Sequence, residues 1–323
     1  MNGSLLRDGN RYVLCFERHL RHSPQRVWQA ITEPAELAHW FPGAVEIDLS
    51  IGGSVTFTQE GFDIDPELLP SSGTVTELEA PRLLALTWGE EPWRFELTQE
   101  DEGCLLVFTH SFENRASAPR SAAGWTVCID ALVALVDGAT PGNEAWVTYL
   151  ARYFYELGSD GVLTRAGESA VLRFERLLDH PVDEVWRALT EPDRLRHWLA
   201  DVVIDARQGG RIELRLGQPA GYEVTGVVTR VDPPKVLDYT WTSPGEPDGV
   251  VKWQLIPAGD RCILLFTHTL QGHWNEAGTL AAWHVHLALL ATSLAGLPTW
   301  PFPDARWKEL HDSYSGATRP ASR

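Results

Sequence analysis

The side chains with the widest chemical scope in this chain are a few histidines and an unusually large set of tryptophans. His110 and His268 close two closely similar strings, Cys104-Leu-Leu-Val-Phe-Thr-His110 and Cys262-Ile-Leu-Leu-Phe-Thr-His268. An imidazole at such a place serves either as a polar anchor or proton donor inside a cavity, or as a structural group bonded near a helix start. The structural role is the simpler of the two. Alternation puts Leu106, Phe108 and His110 on one face of a strand and Leu105, Val107 and Thr109 on the other. Both faces are apolar, so the pattern alone does not say which points inward. His273, His284 and His286 gather farther on. His284 and His286 are two residues apart and point to different faces of a regular helix, so they cannot share one ion. His268 and His286 are candidates to meet across a pocket, but no third ligand accompanies them, and no metal site is expected.

Fourteen tryptophans in 323 residues point the same way. Trp88, Trp93, Trp125, Trp241, Trp253 and Trp283 fall in strand-like or long helical segments. A set of this kind suits a pocket that stacks on a flat apolar molecule and holds its polar edge with indole N–H groups. Ordinary core packing accounts for any one of them equally simply. The candidate ligand contacts are Trp88, Phe95, Phe108, His110, Trp125 and Ile129, then Trp241, Trp253, Phe266, His268, Trp283, His286 and Leu287. No G-x-S-x-G elbow, HExxH helix or phosphate-cradling glycine loop is present, so no catalytic residue and no cofactor is assigned. Gly52-Gly53 and Gly209-Gly210 read as turns, and Glu17-Arg18 and Glu175-Arg176 as surface or cross-strand ion pairs.

The elements that must position these residues occur twice. FERHLRHSPQRVWQAITEP (16–34) and FERLLDHPVDEVWRALTEP (174–192) agree at eleven of nineteen positions at a shift of 158. Trp125 and Trp283 keep that shift, while Trp88 and Trp241 stand 153 apart because of extra residues in the 60–72 loop. Trp146 and Trp307 are 161 apart. A register held over most of 150 residues marks a tandem duplication. The expected division is a first domain at 1–157, a polar linker at 158–169, a second domain at 170–317 and a tail at 318–323.

Within the first copy the pattern predicts an opening strand (12–20), two short helices split at Thr32-Glu33-Pro34, and strands near 44–50, 53–60, 73–79, 82–88, 92–99 and 103–111. Trp125, Ile129, Leu132 and Val136 recur at helical spacing, as do Trp283, Leu287, Leu290 and Leu294. Short helices at 144–156 and 305–314 complete the copies. Each is therefore α+β, ordered β-α-α-β6-α, with one long C-terminal helix laid across a curved antiparallel sheet.

These strings carry a family resemblance. Phe174, Arg176, Pro181, Val185, Trp186, Trp198, Gly209-Gly210, Trp241 and His268 trace a pattern similar to the AHSA1-type SRPBCC (START/Bet v 1-like, helix-grip) family. The first copy departs from it at Ser23, in place of Pro181, and at Glu79-Ala80-Pro81, in place of Asp232-Pro233-Pro234. The resemblance implies two tandem helix-grip domains, each with a cavity between sheet and helix. Across the superfamily such cavities serve lipid and hormone carriers, polyketide cyclases, antibiotic-sequestering resistance proteins and a co-chaperone domain, so fold alone does not select a function. The expected function is non-catalytic binding of an apolar, aromatic small molecule, in a carrier or resistance role. A cyclase- or hydrolase-like enzyme using His268 and His286 and an Hsp90-co-chaperone-like module are the alternatives. Cys128 in the place of His286, and Thr126 in that of His284, suggest that the two cavities differ.

Composition narrows the partners. A net charge of -17 gives no basic stripe for nucleic acid and none for an anionic membrane. The start of the chain lacks a signal-peptide pattern, and no run of eighteen apolar residues occurs. Cys15, Cys104, Cys128 and Cys262 are scattered, which fits a reducing compartment, and a cytoplasmic protein is expected. Its two domains are candidates to pack on each other as a pseudo-dimer.

Overall fold

The computed structural model describes residues 3–58, 70–140, 146–158, 160–216, 222–246, 248–272 and 274–317. The chain divides into two compact units, Met1–Gly158 and Ser159–Arg323. Most of the 60–72 loop, His273 and the tail at 318–323 lie outside the described residues.

In the first unit two strands, β1 (Ser4–Asp8) and β2 (Arg11–Leu20), precede α1 (Pro24–Thr32) and α2 (Pro34–Leu37). Six strands follow: β3 (Ala44–Ile47), β4 (Ser54–Thr58), β5 (Ser72–Glu79), β6 (Leu83–Trp88), β7 (Glu91–Glu100) and β8 (Gly103–Phe112). The long α3 (Ala118–Val136) and the shorter α4 (Trp146–Leu157) close the unit. The sheet is antiparallel with spatial order β1-β2-β8-β7-β6-β5-β4-β3. β2 pairs with the last strand, Phe16 opposite Phe108, which bends the meander back on itself. Both proline-led helices start where a missing N–H has no intrahelical partner.

The second unit repeats this arrangement with β9 (Val162–Ala166), β10 (Ser169–Leu178), α5 (Val182–Thr190) and α6 (Pro192–Trp198). Then come β11 (Asp201–Ile204), β12 (Arg211–Leu216), β13 (Tyr222–Asp232), β14 (Val236–Trp241), β15 (Gly249–Ala258) and β16 (Arg261–Gln271). The unit ends with α7 (Glu276–Leu294) and α8 (Asp304–Ala317). Its sheet order is β11-β12-β13-β14-β15-β16-β10-β9.

Two expectations need correction. Each sheet has eight strands where seven were expected, because β1 and β9 add an edge. The polar stretch 158–169 is accordingly more than a linker, since Val162–Ala166 pairs with β10. A tyrosine of the last helix holds each added edge. The Gly3 N–H donates to the Tyr153 hydroxyl (3.1 Å), and the Gly161 N–H to the Tyr314 hydroxyl (2.9 Å). Both glycines sit on a phenylalanine ring. A Cβ at Gly3 would lie 2.5 Å from Phe16 and one at Gly161 2.2 Å from Phe174.

The structure also settles which face of the last strand is inward. Along β8, Cys104, Leu106, Phe108, His110 and Phe112 are buried, and the alternate residues are only partly covered. Facing them are Trp125, Ile129, Leu132 and Val136 of α3. In α7 the buried set includes Trp283, Leu287 and Leu290. By length and composition both long helices are apolar enough to cross a bilayer, contrary to the simple count of apolar residues. In the fold, however, their apolar faces lie against the sheets. The short helices are fixed alike: the Trp40 indole N–H donates to the Ala30 carbonyl (2.8 Å), and Trp198 to Ala188 (2.9 Å).

The expected Glu17-Arg18 pair does not form. Arg18 reaches Asp130 on the gripping helix at 3.0 Å, and Arg176 lies over the Phe174 ring. Neighbours in a strand point to opposite faces, so Arg18 pairs across to the helix, while Arg176 packs on Phe174, two residues away on its own face of β10.

Candidate functional site

Each unit places one histidine of its last strand against one tryptophan of its gripping helix. In the second unit the Trp283 Nε1–H donates to His268 Nδ1 (3.0 Å), and in the first the Trp125 Nε1–H donates to His110 Nδ1 (3.1 Å). An indole nitrogen only donates, so Nδ1 must accept, and a neutral ring then carries its proton on Nε2. What meets that second N–H differs. His110 Nε2–H donates to the Glu91 carboxylate at 2.7 Å. His268 Nε2 is buried and has no hydrogen-bond partner among the described residues. The sheet register explains the contrast. His110 lies opposite Trp93 and His268 opposite Val251, so Gly249 occupies the place of Glu91. A Cβ on Gly249 would stand 2.8 Å from His268 Nε2. With no counter-charge beside it, burial pushes the His268 pKa down to about 3.

A cavity of about 340 Å³ opens beside this pair in the second unit. Four of the expected contacts line it: Trp241, His268, Trp283 and His286. The Trp241 ring packs on His268 (centroids 5.1 Å apart) and on Trp283 (5.6 Å). His286 Nδ1–H donates to the Trp198 carbonyl at 2.9 Å, which fixes its ring in the wall. Burial lowers its pKa, against the opposing pull of that bond. The other three expected residues of this unit, Trp253, Phe266 and Leu287, are core residues that do not line the cavity. Trp253 faces the short helices, 5.9 Å from Trp198, and donates to the Tyr239 hydroxyl. Phe266 lies beneath Trp283 at 4.3 Å, and Leu287 is fully buried one turn farther along α7.

Sequence reasoning missed much of the opposite wall. Trp274, Trp300, Phe302 and Trp307 come from the turns and helix around α7, and Tyr222 and Glu246 from the far end of the sheet. Trp274 and Trp300 are anchored through indole N–H bonds to the carbonyls of Gln271 (3.0 Å) and Arg196 (3.1 Å). The Tyr222 hydroxyl donates to Glu246, and burial with that carboxylate pushes its pKa up to about 12. Trp241 Nε1 lies close enough to Tyr222 to favour its ionised form, yet makes no hydrogen bond of normal geometry. The signal for this wall was the aromatic density of 297–307, WPFPDARW included, which has no period to read.

In the first unit the corresponding rings pack on one another. Trp93 inserts between Trp88 (5.1 Å) and Trp125 (4.6 Å), and Phe41 and Phe57 close on it at 5.9 and 5.5 Å. The second unit has Val251, Leu199 and Leu214 at those three places. Phe95, Phe108, His110, Trp125 and Ile129 are thus buried core residues among the described part of this unit, and Trp88, half-buried at the edge of the cluster, is tied to the Pro70 carbonyl. Cys128, in the place of His286, is a buried thiol whose pKa burial raises to about 12. Thr126 and His284 both meet the tyrosine of the last helix, at 2.9 and 2.8 Å. Among the described residues no three His, Cys, Asp or Glu side chains gather to hold a metal ion.

Curated proteins gave no match. Solved structures similar to parts of the chain include CalU16 from Micromonospora echinospora, 26% identical over 49% of this chain and 97% of its own (TM-score 0.42). A conserved protein of unknown function from Enterococcus faecalis, EF2215, is 25% identical over 48% and 90% (TM-score 0.42). The protein encoded by gene BPP1335 from Bordetella parapertussis is 28% identical over 51% and 94% (TM-score 0.40). The model of the family described as Activator of Hsp90 ATPase homolog 1-like protein matches twice, at residues 21–137 and 179–295. Each match spans two short helices, a meander and a gripping helix, and the chain therefore belongs to that AHSA1 family, with its helix-grip domain present twice in tandem.

Proposed function

We propose that this protein binds an apolar, aromatic small molecule in the second domain, without transforming it. The observation that carries the reading is the cavity of about 340 Å³ between sheet and gripping helix, walled largely by indole and phenyl rings. Its size is at the small end of ordinary ligand pockets, and flat rings are well suited to its walls. The two histidines in the wall support binding over acid–base chemistry. A general base works best with a pKa near the operating pH, and burial holds His268 near 3 and lowers His286 as well.

Tryptophan-fluorescence quenching and native mass spectrometry against flat aromatic compounds test the proposal. The expected result is one equivalent bound per chain, lost in the Val251→Trp variant. No binding at about 10 μM, an affinity near -7 kcal/mol, for any compound in a panel of polycyclic aromatics would overturn it.

A further inference from the structure

We propose, resting on the binding reading above, that the second cavity selects a neutral aromatic ligand carrying a carbonyl oxygen, and that His268 Nε2–H is its donor. The domains differ at one position in the decisive way. In the first, Glu91 consumes the donor of the His–Trp pair. In the second, Gly249 leaves the same donor just beneath the cavity surface, with no partner among the described residues. A buried donor with no acceptor is costly, and a ligand oxygen that reaches it recovers that cost on binding. Trp241 Nε1–H stands in the same wall, also without a hydrogen bond of normal geometry. Trp283 holds the imidazole by Nδ1, so the ring cannot flip to hide its proton without losing that bond.

The charge of the wall decides which oxygen. Glu246 is acidic, and among the described residues no lysine or arginine lines the cavity. A carboxylate or phenolate would enter beside a like charge with nothing to neutralise it. A ketone or quinone oxygen accepts a hydrogen bond without bringing charge. The aromatic walls supply stacking for the remainder of such a molecule.

Fluorenone and fluorene provide the test, since they share one ring frame and differ by a carbonyl oxygen in place of two hydrogens. Both are titrated into the full chain and into two variants. His268→Asn keeps an acceptor near Nδ1 for Trp283 and removes the Nε2–H. Trp241→Phe removes the second donor and keeps an aromatic ring. Thermal melts of each variant check that the second domain remains folded. One net hydrogen bond predicts fluorenone about 3- to 10-fold tighter than fluorene in the natural chain. In His268→Asn the ratio of the two affinities falls to about one, whatever change their common affinity undergoes. Equal affinity of the two compounds, or a preference that survives His268→Asn, overturns the donor assignment and leaves the cavity reading standing. Failure of both compounds to bind overturns the cavity reading and this inference together.

Discussion

Lowering the pH from 7 to 5 perturbs the second domain through its buried histidines, His286 and His268 among them. His268 takes up a proton at about 6.5 when unfolded, but burial holds its folded pKa near 3. The folded pKa is depressed, so below 6.5 the unfolded chain binds the extra proton and stability falls as pH falls. At pH 5 the unfolded side chain lies about 1.5 units below its pKa, which makes the loss from this residue about 2 kcal/mol. The loss continues to grow until pH approaches 3. His284, lowered to about 4 by burial and then by the nearby Arg176, adds to it in the same direction, reduced by its partial exposure.

The assay is urea unfolding of the full chain and of His268→Asn at pH 7 and pH 5, followed by tryptophan emission. The variant exchanges the titrating ring for an amide that still accepts from Trp283. Between the two pH values its second transition should lose about 2 kcal/mol less than that of the natural chain. The window stays above the range where carboxylates titrate, so the difference isolates the imidazole. An identical pH dependence in the two proteins refutes the reasoning, because it would mean that the ring is protonated, or already paired, in the folded state.

Other expectations follow from single contacts. Glu91→Ala strips the acceptor from His110 and should destabilise the first domain by about 1–3 kcal/mol, as read from its denaturation midpoint. Tyr153→Phe and Tyr314→Phe remove the acceptors of the Gly3 and Gly161 amides. Each should cost about 1 kcal/mol and speed hydrogen exchange at the matching glycine, with the other domain unchanged. Val251→Trp, which copies Trp93, should abolish ligand quenching while the far-ultraviolet dichroism stays that of the natural fold. Cys128 and Cys262, whose pKa values burial raises to about 12, should resist a thiol reagent at pH 8 until the domains are unfolded.

The scaffold was largely legible because its determinants are local and periodic. Alternation located the meander, helical spacing located the gripping helix, and the 158-residue shift showed both twice. The same shift held the missing strands. Gly3, Leu5, Arg7 and Gly9 stand over Gly161, Leu163, Arg165 and Gly167, identical at every second position. Polarity disguised that repeat as a linker, since β1 is exposed along almost its whole length and offers no buried alternate face to read. The site was legible only in part. Trp241, His268, Trp283 and His286 were found because they lie on the sheet and helix that define the fold. Trp274, Trp300, Phe302 and Trp307 were not, because loops place them by contacts with distant residues. Nor did composition reveal how the two domains differ around His110 and His268. That depends on Trp93 against Val251 and Glu91 against Gly249, whose meaning appears only when the strands are paired.

The tyrosine that holds each added edge also sets a schedule for synthesis. The Gly3–Tyr153 bond joins residues 150 apart, and the Gly161–Tyr314 bond residues 153 apart. A nascent chain grows at about 5–20 residues per second, so the first edge strand waits roughly 8 to 30 seconds for the helix that secures it. By then almost all of the first domain has been made, and the second has not begun. Each copy therefore becomes complete only with its own last helix, and the first copy reaches that point before the matching strands of the second are made.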